Sequence, residues 1–379
     1  MKIVGIICEY NPLHLGHKKQ FDLLRKQDSD CAIVCLMSGN YVQRGAPAVF
    51  DRSLRARAAI LSGADLVLQM PVTVSLSSAE GFAAGGVGIL GSFCDQLCFG
   101  AETADRTLLM DTARILLSEA FPPALRSHLG TGLSFPAARA AALHDLGLDG
   151  SILSQPNNIL AVEYCKAILA QNSTMEPLPI CREGSYHDEV PHSENPSATA
   201  VRQLIVGLHD WKSYIPATAR DIFAGATVHT LASGERSILA RLRTMSDVEF
   251  EALPYGSEGL WRKLMRASRE MSTLEQIAVA TKSKRYTRSR IDRMILCAFL
   301  GLTADDLNTP PPYARVLAFN DKGRDILSNA KKSGCFPNIG EKTGHPYEII
   351  ENRCDGLYGL FAQEAPGSPM IKDRIYYHR

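Results

Sequence analysis

The sequence predicts an α/β protein built on a parallel sheet of the doubly wound kind, and two observations carry the prediction. Four short runs, KIVGIIC (2–8), CAIVCLMS (31–38), DLVLQMP (65–71) and QLCFG (96–100), are almost continuously apolar, as strands covered on both faces are. Between them, 15–27, 51–63 and 78–91 carry helical patterns. A repeated strand–helix–strand order specifies right-handed crossovers and a parallel sheet. In such sheets ligands sit beyond the C-terminal ends of the strands. EYNPLHLGH, GNYVQRG and GAET follow the first, second and fourth runs, so all three loops are expected to line one edge.

At 379 residues the chain exceeds a single core. Residues 1–205 read as the α/β part. From 206 to 308 the strand signal fades, and DWKSYIPATARDIFAG and TLEQIAVATKSKRYTRSRIDRMILCAFLGL read as helices. The prolines at 310–312 punctuate the chain. After them YARVLAFNDKGRDILSNAKKSG reads as a strand and a helix, making 309–379 a small C-terminal α/β region.

Composition excludes several classes. With 45% hydrophobic and 21% charged residues and a net charge of +1, the chain is globular, and its global charge argues for no nucleic-acid partner. No run of about 18 apolar residues exists to span a membrane, and the N-terminus enters a strand pattern at once, without a signal-peptide pattern. A cytoplasmic protein is expected. The ten cysteines are scattered, and their close pairs (Cys31/Cys35, Cys94/Cys98) are spaced C-x3-C with no histidine beside them. Buried, reduced thiols are expected, and no metal site.

The first loop holds the chemistry. If Leu15–Arg25 is helical, His14 and His17 stand one turn apart at its start and face the same side. Unpaired N–H groups and the partial positive charge of a helix N-terminus suit a phosphate. Gly16 between the histidines lets a flat nucleoside press against the backbone. Two imidazoles can then donate to a phosphate whose charge grows as it is attacked, which is electrostatic stabilisation rather than acid–base chemistry. Two unrelated histidines at a helix start would look the same. Their position directly after an N-terminal buried strand favours the functional reading.

NPLHLGH resembles the H-x-G-H signature of the nucleotidylyltransferase superfamily, whose members direct an acceptor onto the α-phosphate of ATP and release pyrophosphate. ENPSATAVRQLI resembles that superfamily's second phosphate-binding segment, with Ser197 and Thr199 at a helix start and Arg202 inside it. A Ser/Thr cap followed by an arginine also fits a plain helix start. Together with MSGNYVQRGAPA, SGADLVLQMP, CFGAET, QPNNILAVEYCKAI, YHDE and TKSKRYTRSRIDR, these segments are similar to the bacterial tRNA(Met) cytidine acetate ligase family over nearly the whole chain. The resemblance is clearest over 2–205 and around 281–295, and thin after about 325.

It implies a Rossmann-like nucleotidylyltransferase core, followed by the helical and C-terminal regions. It also implies acetate activation by ATP to acetyl-adenylate, then acetylation of the wobble cytidine of elongator tRNA(Met) to N4-acetylcytidine. ATP would be held by Ile7, Cys8, Glu9, Tyr10, Asn11, Pro12, Leu13, His14, Leu15, Gly16, His17, Lys18, Lys19 and Gln20, with His14 and His17 catalytic. Gly100, Asn157 (or its neighbour Asn158), Arg182, Ser197, Thr199 and Arg202 would complete the site, and Mg²⁺ would bridge the phosphates. Around Arg182 the sequence is a residue shorter than the family's pattern. Read from the residues alone, Asn157 and Asn158 are equally a turn and helix cap, and Arg182 a surface ion pair. Glu9, His187 and Asp188 are candidates for assisting the second step. NYVQRG (40–45) reads either as a flexible lid or acyl-site loop or as a solvated loop.

Charge is locally uneven. Residues 262–293 hold ten Lys/Arg against three acids, and 282–293 hold six: Lys282, Lys284, Arg285, Arg288, Arg290 and Arg293, with Tyr286 among them. A solvated helix face is one reading. The shortage of balancing acids favours the other, in which the basic residues bind RNA phosphates and Tyr286 stacks on an exposed base. No protein partner is inferred. Two other functions compete with the ligase: a metabolite nucleotidylyltransferase acting on a small phosphorylated acceptor, which leaves the basic segment and the long C-terminal half unexplained, and an RNA-binding module on a degenerate nucleotide fold, against which the intact motifs argue.

Overall fold

The computed structural model describes residues 1–182, 196–283, 285–332, 334–363 and 374–378. The elements run along the chain as β1 (Ile3–Cys8), α1 (Leu15–Gln27), β2 (Ala32–Ser38), β3 (Tyr41–Val42), β4 (Ala46–Pro47), α2 (Arg52–Ser62), β5 (Leu66–Met70), α3 (Val72–Ser75), α4 (Ala79–Leu90), β6 (Gln96–Ala101), α5 (Arg106–Leu117), α6 (Phe121–Gly130), α7 (Phe135–Asp145), α8 (Pro156–Ala170) and β7 (Glu176–Cys181). They continue with α9 (Ala198–Val206), α10 (Ala217–Phe223), α11 (Leu231–Thr244), α12 (Asp247–Glu251), α13 (Leu260–Glu270), α14 (Leu274–Thr281), α15 (Arg288–Leu300), α16 (Ala304–Asn308), β8 (Arg315–Asn320), α17 (Asp321–Ala330), α18 (Tyr347–Tyr358) and β9 (Tyr376–His378). The four apolar runs are strands and the three intervening patterns are helices, so the α/β reading holds. All ten cysteines are free, and seven are buried.

Packing divides the chain into two compact units, Met1–Ile7 with Ser78–Glu183 and Cys8–Ser77 with Gly184–Arg379. In the first, β1 pairs parallel with β6 (Val4 opposite Gln96), and β6 with β7 (Ala101 opposite Cys181). Helices α4, α5 and α8 pack together over these strands.

In the second unit β2 pairs parallel with β5, β5 antiparallel with β8, and β8 parallel with β9. The C-terminal strand-and-helix pattern thus lies in the same sheet as β2. The buried carboxylate of Asp65 ties this part together. One oxygen accepts from Arg25 of α1 at 2.6 Å and from the Ile33 N–H at 2.8 Å, and the other accepts from Asn320 at 2.9 Å. Shared among three donors, it fixes α1 against β2 and β8. Helices α11–α16 and α18 close a separate apolar core around Ile238, Leu264, Ile291, Met294 and Phe361.

Between β2 and α2 the chain makes a small hairpin (β3, β4) with Tyr41, Val42 and Pro47 buried, so the 40–45 loop is not simply solvated. Gly45 at its turn has φ +79°, and a Cβ there would lie 2.5 Å from the Asp292 and Arg293 backbone. Only glycine lets the turn rest on α15. Arg293 donates to the Gln43 carbonyl at 3.3 Å, so the 40–45 loop is pinned by the basic helix.

Candidate active site

β1 ends in a turn whose backbone is forced into an uncommon shape. Tyr10 sits at φ +43°, and the Asn11–Pro12 peptide is cis. A non-glycine residue in the left-handed region costs about 1–3 kcal/mol and persists only where its surroundings over-determine it. Here the Tyr10 ring is buried, edge-on to Phe21 (5.9 Å) and His17 (4.8 Å), with its hydroxyl 3.4 Å from Cys35 Sγ. Leu13 is also fully buried. These two side chains serve packing, and the turn they hold presents the polar groups.

His14 is the N-cap of α1. Its Nδ1 accepts the Gly16 N–H at 3.1 Å, while Nδ1 of His17 accepts the His14 N–H at 3.2 Å, a reciprocal capping box built from imidazoles. The rings stack at 3.7 Å. Because each Nδ1 is an acceptor, a neutral ring carries its proton on Nε2, and each imidazole offers an Nε2–H donor. No acidic residue occupies the first turn of α1, so the positive end of the helix is not neutralised there. Of the remaining helix residues in the expected site, Lys18 pairs with Asp22, Leu15 and Gln20 are partly buried, and Lys19 is exposed.

The second motif reaches this turn. Ser197 caps α9, accepting the Ala200 N–H at 3.1 Å. Arg202 donates to the Asn11 carbonyl at 2.6 Å and to Thr199 Oγ1 at 3.0 Å. Asn11 Oδ1 in turn accepts the Val49 N–H at 2.7 Å. The apolar face of α9 fixes this geometry, since Val201 and Ile205 pack with Val49, Phe50, Ala58 and Phe223. His14, His17, Ser197, Thr199 and Arg202 therefore belong to one constellation in the second unit.

Two side chains hold its shape: Glu9, which the sequence reading placed at the nucleotide, and Arg55, which it did not single out. Glu9 Oε1 accepts the Gln43 N–H at 2.8 Å, joining the first two loops. Arg55, 0% exposed, donates to the carbonyls of Phe50 (2.9 Å), Glu9 (2.6 Å), Ser38 (3.1 Å) and Gly39. Burial pushes its pKa down, and four of its five N–H donors go to backbone acceptors. An arginine interrupting the apolar face of RSLRARAAI was the available signal.

In the first unit, a Cβ on Gly100 would come within 2.9–3.0 Å of the Arg182 side chain, so it is the exposed Arg182, not open space, that lies over this glycine. Glu102 of the GAET turn accepts from Asn157 Nδ2 at 2.6 Å and from the Asn158 N–H at 2.8 Å. Asn158, 2% exposed, holds the Thr103 N–H at 2.9 Å. The two asparagines open α8, and Glu102 serves as its capping carboxylate. Gly100, Arg182 and Asn157 thus cluster around the end of β6. His187 and Asp188 lie outside the described residues.

The basic stretch occupies the break between α14 and α15 and the first turn of α15. The acids missing nearby in sequence are partly supplied from elsewhere in the fold. Arg285 pairs with Glu258 and Arg288 with Glu275 and Asp292, each at 2.7 Å, while Arg290 donates to the Tyr255 carbonyl at 2.8 Å. Tyr286 donates to Glu258 at 2.8 Å and lies under Arg290. Lys282 is exposed. Lys284 lies outside the described residues.

A βα turn bearing paired imidazole donors, met by a Ser-capped helix with an inward arginine, defines an H-x-G-H nucleotidyltransferase. The family model for HIGH Nucleotidyl Transferase matches residues 1–364. The tRNA(Met) cytidine acetate ligase of Clostridium acetobutylicum is 34% identical over 373 residues, 92% of each chain, and that of Clostridium tetani 36% identical over 365 residues, 90% of each. The crystal structure of apo Thermotoga maritima TmcAL matches all of both chains at 28% identity with a TM-score of 0.89, and TmcAL bound with alpha-thio ATP matches at 27% identity and 0.87. The chain belongs to the tRNA(Met) cytidine acetate ligase family.

Proposed function

We propose that the protein is an ATP-dependent ligase that condenses acetate with ATP to acetyl-adenylate and pyrophosphate, then acetylates the wobble cytidine of elongator tRNA(Met) to N4-acetylcytidine. The observation that carries this is the 2.6 Å bond from Arg202 to the Asn11 carbonyl, which joins the two phosphate-binding motifs. His14 and His17, through Nε2–H, and Arg202 then stabilise charge growing on the α-phosphate. Acetate is already anionic at neutral pH, so the first step needs positioning rather than a base. Gly100, Asn157 and Arg182 are proposed to contact the nucleotide. Mg²⁺ is proposed to be held chiefly by the phosphates of ATP. The metabolite transferase is not favoured, because the relatives matched along the full chain are RNA-modifying ligases. No helix among the described residues is long and apolar enough to cross a membrane, and a cytoplasmic location suits a tRNA substrate.

The helical segment 206–308 is proposed as the tRNA-binding region, through Lys282, Lys284, Arg285, Tyr286, Arg288 and Arg290. Exposed ion pairs such as Arg285–Glu258 contribute only about 0–1 kcal/mol, so an RNA phosphate can displace the acid. Arg288, held by two carboxylates, is less suited to a test than its neighbours. Lys282→Glu with Arg285→Glu is expected to weaken tRNA binding by at least roughly tenfold and to lower its salt dependence. Acetate-dependent ATP–pyrophosphate exchange without tRNA is expected to stay at the wild-type rate. Unchanged tRNA affinity would remove this surface from the RNA interface, and absence of acetate-dependent exchange in the wild type would remove the ligase reading.

A further inference from the structure

One cavity in the second unit extends from residues assigned to ATP onto walls that the adenylation chemistry does not use. It has a volume of about 490 Å³ and is lined at one pole by Glu9, Asn11, Thr199 and Arg202. It therefore shares Thr199 and Arg202 with the phosphate-binding constellation, and Asn11 is the residue whose carbonyl Arg202 holds, so an occupant would lie beside the proposed phosphate site. Its other walls are largely apolar, from Val42, Pro47, Val49, Val206 and Leu231. That volume falls in the range of roughly 300–1,000 Å³ typical of drug-sized ligands, far beyond what a two-carbon carboxylate fills.

Two polar side chains, Glu9 and His229, stand on its walls. Glu9 uses Oε1 on the Gln43 N–H and also lines the cavity. His229, 6% exposed and on the cavity wall, has an Nδ1 without a partner among the described residues. Its ring stacks on Tyr358 at 4.0 Å, and burial pushes its pKa down to about 4, so it is neutral near pH 7. The rim of the cavity adjoins the basic surface. Gly45, between the lining residues Arg44 and Ala46, and Leu231, itself a lining residue, share a small neighbouring crevice with Arg288 and Asp292.

Building on the ligase reading, we propose that this cavity receives the acceptor cytosine, turned out of the tRNA, with Glu9 accepting from its exocyclic amine. A carboxylate pairs with the N4 amine of cytosine and repels the O4 carbonyl that uracil places there. Apolar walls suit an unstacked base, and the adjoining basic residues suit its phosphates. In the transfer step the N4 nitrogen bonds to the acetyl carbonyl carbon and the C–O bond to the adenylate phosphate breaks. AMP leaves with that electron pair, and one amine proton passes to Glu9.

Two wall variants test the placement. Val206→Trp fills the cavity from a half-exposed helix end, and Ala46→Phe fills it from the hairpin. Each is expected to leave acetate-dependent ATP–pyrophosphate exchange within about twofold of wild type while lowering acetyl transfer to tRNA by at least about a hundredfold. Equal loss of both activities in both variants would assign the cavity to adenylation and overturn the proposal, as would undiminished transfer. Specificity tests Glu9. Anticodon stem-loops bearing cytidine at the acceptor position are expected to inhibit transfer on the order of tenfold better than those bearing uridine, and Glu9→Gln is expected to bring that ratio towards one. A ratio unchanged by the substitution would remove the Glu9 contact. If wild-type protein puts no acetyl group into RNA, the ligase reading itself fails. Normal wild-type transfer with indifferent wall variants defeats the cavity alone.

Discussion

His17→Ala is expected to lower acetate-dependent ATP–pyrophosphate exchange by roughly 10²–10³-fold, about 3–4 kcal/mol of transition-state stabilisation, and to leave the fold intact. The expectation follows from the tautomer that the capping box imposes. Each Nδ1 is committed to a backbone N–H, so each ring works through Nε2–H. Removing the His17 ring deletes one donor to the phosphate, one cap acceptor and the stacking partner of His14. The cap is worth about 1 kcal/mol, so the melting temperature should move by only a few degrees while the rate collapses. His17→Asn, which keeps an amide donor, is expected to recover part of the loss. Exchange at the wild-type rate in the alanine variant would take His17 out of the chemistry.

Arg55→Met is expected to have the opposite signature, a loss of stability before any specific loss of chemistry. Four backbone carbonyls from three segments converge on this buried guanidinium. Methionine fills much of the volume but leaves those acceptors unsatisfied, at about 1–3 kcal/mol for each that finds no water. A total of about 3–5 kcal/mol corresponds to a fall in melting temperature on the order of 10 °C. Arg55→Lys is expected to rescue little, because an ammonium cannot span acceptors arranged around a planar fork. Thermal unfolding of the two variants beside wild type checks this. A melting temperature within 2–3 °C of wild type for Arg55→Met would show that the loops after β1 and β2 do not depend on the clamp.

These two residues also mark the limits of what sequence shows. The buried strands were legible because a strand covered on both faces leaves a continuous apolar signature, and the helix starts because their caps are local. The H-x-G-H turn was legible for the same reason: its residues are neighbours in the chain and need only one helical turn to act together. What was not legible depends on partners distant in sequence. Nothing near Arg55 reveals that its donors go to carbonyls 5, 16, 17 and 46 residues away. Gly45 is unremarkable until α15 is laid against it. The basic stretch read as unbalanced because one of its acids, Glu258, sits 27 residues from the arginine it pairs with. GAET drew notice for its glycine, whereas Glu102 is the residue that organises the asparagines opening α8.

The central claim is that this chain moves an acetyl group from acetate to a cytidine in RNA at the cost of ATP. Its most direct test is to incubate the protein with ATP, Mg²⁺, radiolabelled acetate and unmodified elongator tRNA(Met), digest the RNA to nucleosides and look for label. Label in N4-acetylcytidine, dependent on both ATP and acetate, is the predicted result. RNA without label, with pyrophosphate released only when a small phosphorylated acceptor is supplied, would contradict it and assign the H-x-G-H site to metabolite nucleotidyl transfer.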